Sequence, residues 1–104
     1  MLEQKKIENF VKRHPQIRLE VREVGHGSGV TATEYRFEVE KNRNVWVVEV
    51  HDLGESAHAH MFALPRNAEG RALIWASVFN HYTYPISSWD ELKKKLQRIV
   101  KYYD

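Results

Sequence analysis

Ile17-Arg-Leu-Glu-Val-Arg22 and Glu34-Tyr-Arg-Phe-Glu-Val39 decide the fold, because each alternates apolar and charged residues with the period of two that a half-buried strand requires. Set antiparallel so that paired residue numbers total 56, they place Arg18 against Glu38, Glu20 against Arg36 and Arg22 against Glu34 on one face. The other face then pairs Ile17 with Val39, Leu19 with Phe37 and Val21 with Tyr35. A one-residue slip would bring charges onto the apolar face, so the register is strongly specified. Across Lys41-Asn-Arg-Asn44, a total of 85 continues the pattern: Arg36 meets Glu49, while Val39, Phe37 and Tyr35 meet Trp46, Val48 and Val50. Three strands in a meander follow.

Outward from this sheet, both ends of the chain read as helices. Ile7, Phe10, Val11 and His14 recur at the spacing of one helical face, and Pro15 ends that run after the basic pair Lys12-Arg13. Ser88-Trp-Asp-Glu91 has the form of a capping box, with the Ser88 hydroxyl accepting from the Glu91 amide and the Glu91 carboxylate reaching back to the Ser88 amide. Trp89, Leu92, Leu96, Ile99, Val100 and Tyr103 then form a stripe at spacings of three and four. Such a stripe needs a sheet to cover.

The stretch from Ala57 to Phe79 reads as a hairpin, turning at Asn67-Ala-Glu-Gly70 with Arg66 opposite Arg71 and paired numbers totalling 137. Its arms sort by size. Ala59, Met61, Ala63, Ala72, Ile74, Ala76 and Val78 share one face, and His58, His60, Phe62, Leu64, Leu73, Trp75, Ser77 and Phe79 share the other. Small residues let helices approach a sheet closely, so the alanine face belongs under the helices. The bulky face then lies on the open side, beside Val45 and Val47. The expected fold is α+β: one domain over residues 1–104, a five-stranded antiparallel meander flanked by N-terminal and C-terminal helices in the order α-β-β-β-β-β-α.

Composition narrows the class. With 104 residues there is one core, and with no cysteine there is neither a disulfide scaffold nor a thiolate metal site or nucleophile. The longest apolar run, Ala72 to Phe79, is far too short to span a bilayer, and the N-terminus interleaves charges with its apolar residues. A soluble, cytoplasmic protein with no membrane partner is the expectation. Net charge is +2, and each terminal segment (residues 1–13 and 89–104) holds two more bases than acids. Solvated lysine faces on amphipathic helices account for that excess.

The sheet's ends differ in chemistry. Strand direction places Lys41, Arg43, Arg66 and Arg71 at one end, and His26, His51 and His81 with Asp52 and Glu55 at the other. His58 and His60 lie on one face of a strand about 6.6 Å apart, and His51 or Glu49 is a third ligand for zinc or another divalent metal. The metal candidates are thus His26, His51, His58, His60 and His81. His51-Asp52 reads as a strand end entering a turn, since adjacent strand residues point to opposite faces. Gly25-His-Gly-Ser-Gly29 joins two strands instead of opening a helix, so it reads as a hairpin loop and not a phosphate cradle.

From this follow three functional expectations. The first is a non-enzymatic binding module that needs no cofactor and uses an open aromatic face (His60, Phe62, Trp75, Phe79) to contact a protein, including a second copy of itself as a homodimer. The second is single-stranded nucleic acid on the same face, with Arg43, Arg66 and Arg71 at the rim holding phosphate. The third is a histidine-metal hydrolase at the opposite end of the sheet.

Overall fold

The charge-matched registers are the observed ones. A computed structural model describes residues 2–41, 44–65 and 79–102. They form α1 (Gln4–Lys12), β1 (Ile17–Gly25), β2 (Thr31–Lys41), β3 (Asn44–Asp52), β4 (Ala57–Pro65), β5 (Phe79–Ile86) and α2 (Trp89–Tyr102). The five strands make one antiparallel sheet in sequence order. β1 and β2 pair Ile17 with Val39 through Gly25 with Thr31, and β2 and β3 pair Val39 with Trp46 and Arg36 with Glu49.

Both helices lie on one face. Ile7, Phe10, Leu92, Leu96 and Ile99 join Phe37, Val39, Val48, Val50, Ala57, Ala59, Met61 and Ala63 in one buried cluster, so the alanine face of β4 is indeed the helix side. Alanines at Ala59 and Ala63, both fully buried, leave room for that layer. The first helix ends as its sequence requires: Phe10 stacks on His14 with ring centres 4.1 Å apart, and His14 Nδ1 donates to the Phe10 carbonyl at 2.9 Å. At the start of α2 the Ser88 hydroxyl accepts from the Glu91 amide at 3.2 Å. The return contact differs from expectation by one residue, because the Glu91 carboxylate takes the amide and hydroxyl of Ser87 instead of the Ser88 amide. Those two donors hold the Glu91 carboxyl below the usual carboxylate range.

The fifth strand also departs from expectation. β4 pairs with Phe79–Ile86, running from Ala57 opposite Ile86 to Met61 opposite Tyr82, then through an irregularity to Ala63 opposite Phe79. The expected register would have set Phe79 against His58, at the other end of β4. Residues 80–86 continue a period of two with Tyr82, Tyr84 and Ile86, and Pro85 is tolerated because β5 is an edge strand among the described residues. His81 is therefore a strand residue and not part of the loop end. The turn Asn67–Gly70, together with Arg43, Arg66, Arg71, Ala72 to Val78 (which includes Trp75) and Tyr103, lies outside the described residues.

Reading across the open face gives rows that run perpendicular to the strands. One row is Arg22, Glu34, His51, His58 and Pro85. The next is Glu20, Arg36, Glu49, His60 and Thr83, and the third is Arg18, Glu38, Val47 and Phe62. Further along, Val45, Val47 and Leu64 form a second, smaller buried cluster with Phe62 packed against it.

Candidate functional site

Two rows and one loop build the site. The β1–β2 loop turns through Gly27, Ser28 and Gly29, all at positive φ, with the His26 amide donating to the Val30 carbonyl at 2.8 Å. That tight reversal, tolerated because two of its three left-handed residues are glycines, sets the His26 ring over the end of the sheet. His51 on β3 and His58 on β4 are direct cross-strand partners, and His60 is two residues further along the face of β4. Four imidazoles thus share one patch. Ring centres are 5.0 Å apart for His26 and His51, 5.4 Å for His51 and His58, and 5.5 Å for His58 and His60. His26 to His58 and His51 to His60 are both 6.3 Å.

Individual contacts orient the rings. His26 Nε2 and His51 Nδ1 are hydrogen-bonded at 2.8 Å, and His51 Nε2 stands 3.2 Å from Glu34 Oε2. Glu34 is 4% exposed and is held from the other side by Arg22, whose Nε donates to Oε1 at 2.9 Å. That bond to the carboxylate raises the Arg22 pKa further. His60 Nδ1 lies 3.1 Å from Thr83 Oγ1, and Glu49 accepts from Arg36 Nη1 at 2.8 Å. Partial burial pushes the His58 pKa below its ordinary value, and the neighbouring His60 and His26 add repulsion toward a second positive charge. At neutral pH His58 is therefore a neutral ring with a lone pair to offer.

Asp52, the acid next to His51 in the sequence, turns away from the histidines. Its Oδ1 accepts from the Gly54 amide at 2.9 Å and its Oδ2 from the Leu2 amide at 2.7 Å, so it closes the β3–β4 turn and ties down the N-terminal segment. Of the expected metal candidates, His26, His51, His58 and His60 come together, while His81 sits within β5. Of the expected aromatic face, Phe62 is half-buried against the smaller cluster and Phe79 pairs by backbone with Ala63. Trp75 and the basic rim are outside the described residues. The sequence pairs Arg22 with Glu34 across β1 and β2 but does not connect them to the histidines, although the total of 85 that pairs Arg36 with Glu49 also pairs Glu34 with His51.

Among the described residues, no three His, Asp or Glu side chains are arranged to hold a metal ion as they stand. Spacing and orientation both stand in the way, since His26 to His58 and His51 to His60, each 6.3 Å, are wider apart than rings on one tetrahedral ion. An ion about 2.05 Å from each donor nitrogen lies about 3.2 Å from each ring centre, so two rings on a tetrahedral ion have centres about 5.2 Å apart. The three shorter spacings here bracket that value. What differs is that His26 and His51 point nitrogens at each other, 2.8 Å apart, whereas two ligands of one tetrahedral ion keep theirs about 3.3 Å apart. Holding one ion would require these rings to turn about their side-chain torsions and the wider pairs to draw together.

A hollow of about 320 Å³ lies beside Phe10 and Trp89, lined also by Lys6, Arg13, Asp90 and Lys93. Lys6 pairs with Glu3 and Lys93 with Asp90 in their own helices, so the excess of charge there is small. No helix among the described residues is long and apolar enough to cross a membrane. Comparison with protein-family models, with curated proteins and with solved structures found no match.

Proposed function

We propose that the protein is a non-enzymatic metal-binding module, taking one divalent transition-metal ion on its open sheet face through His51, His58 and His60, with His26 as the fourth donor. The observation that carries this reading is the gathering of four rings on one patch, with neighbouring rings 5.0–5.5 Å apart, fixed by a cross-strand pair, an i, i+2 pair and a glycine-bounded loop. Imidazole donors without thiolate suit Zn²⁺, Cu²⁺, Ni²⁺ and Co²⁺ and disfavour hard cations such as Ca²⁺. Four protein donors also close a tetrahedral shell. Closed shells belong to sites that hold an ion, whereas hydrolytic sites keep one position open for water, which is why binding is favoured here over catalysis.

Calorimetric titration with zinc at pH 7.5 tests the proposal. One equivalent should bind, and His51→Ala or His58→Ala should each weaken binding at least tenfold, with His58→Ala/His60→Ala removing it. Undiminished binding by the double variant, or no stoichiometric binding by the wild-type protein, would overturn it.

A further inference from the structure

We infer that Glu34, clamped by Arg22, is a positioning residue that selects Nδ1 of His51 as the nitrogen donated to the metal. The inference rests on the metal reading of this face, but its geometry is independent of any ion.

A carboxylate has only lone pairs to present. Were Nε2 of His51 also unprotonated, two lone pairs would face each other across 3.2 Å beside a nearly buried charge. In the neutral ring the proton therefore sits on Nε2, directed at Glu34, and Nδ1 keeps the lone pair. The opposite side of the ring agrees: His51 Nδ1 is the atom bonded to His26 Nε2, which makes His26 the donor and leaves its own lone pair on Nδ1. One row of the sheet and the loop above it thus set two tautomers in sequence, from Arg22 through Glu34 and His51 to His26.

Arg22 is part of the device. Glu34 lies opposite Arg22 on one side and His51 on the other, so the guanidinium fixes the carboxylate while the carboxylate fixes the ring. To hold an ion, His51 would offer the Nδ1 lone pair that the His26 N–H now occupies, and His26 would have to turn to present its own Nδ1. His60 is oriented by different chemistry, since with Nδ1 engaged by Thr83 it donates through Nε2. Carboxylates behind ligating imidazoles raise ligand basicity and hold ring orientation, and losing one typically weakens metal binding about 10- to 100-fold.

The test has two parts. In the metal-free wild-type protein at pH 8, ¹⁵N chemical shifts of the His51 ring should show Nε2 protonated and Nδ1 bare. A proton on Nδ1 overturns the inference even where zinc binds. In zinc titrations, Glu34→Ala should lose about 10- to 100-fold in affinity and show a mixed His51 tautomer, whereas Glu34→Gln, whose amide oxygen still accepts from Nε2, should recover most of that loss. Equal affinity of Glu34→Ala and wild type overturns the positioning role while leaving the metal reading intact. Failure of the wild-type protein to bind zinc overturns the metal reading and this inference with it.

Discussion

Ala59→Leu tests the facing of β4, on which the positions of His58 and His60 depend. Ala59 is fully buried, lies between Val50 and Tyr84 in its row, and belongs to the cluster that includes Leu92, Leu96 and Ile99 of α2. Three added carbons would gain about 2.4 kcal/mol of transfer free energy if space existed for them. Beneath a closely packed helix there is none, and overpacking of this kind costs about 1–3 kcal/mol net. His60, the next residue, faces the other way and is partly exposed, so His60→Leu should change stability by only about 0.5 kcal/mol. With a urea slope of about 1–3 kcal/mol/M, Ala59→Leu should lower the unfolding midpoint by roughly 1 M at unchanged slope, and His60→Leu should barely move it. The reverse outcome, a tolerated Ala59→Leu beside a costly His60→Leu, would mean that the helices cover the histidine face, and the whole site would be misplaced.

Two further outcomes follow from single residues. Because the fold depresses the His58 pKa, the unfolded chain takes its proton first as pH falls. Stability is therefore lost from about pH 6.5 downward until the folded-state value is passed, with no contribution above that range. His58→Asn should flatten that limb of a pH series of urea melts, and an unaltered limb would contradict the stated environment. At Gly54, φ is +93° and an added Cβ would meet nothing within 4 Å, so Gly54→Ala carries a backbone cost alone. A loss of about 1–2 kcal/mol in chemical denaturation is expected, and a neutral result would argue against the left-handed turn.

Much of this was legible in the chain because charge and apolar character alternate in step. Arg18, Glu20 and Arg22 oppose Glu38, Arg36 and Glu34 in one register only, and that register carries through to β3. The size sorting of β4 placed Ala59 and Ala63 under the helices for a physical reason that held. β5 was placed too early because Asn67-Ala-Glu-Gly70 reads as a tight turn, and a hairpin built on that turn ends at Phe79, where the observed strand begins. The histidines are spread over 35 residues, from His26 to His60, so their meeting depends on a loop reaching across two strands. Local periodicity cannot show that, but the row containing Arg22, Glu34 and His51 needed only one more step of a register already in hand.

A cobalt titration tests the central claim most directly, because the ion's visible absorption reports both stoichiometry and geometry. The four-imidazole site predicts bands of tetrahedral intensity that saturate at one equivalent, are displaced by zinc, and vanish in His58→Ala/His60→Ala. Weak, octahedral-type absorption that rises without saturation, or a spectrum indifferent to those two substitutions, would contradict it.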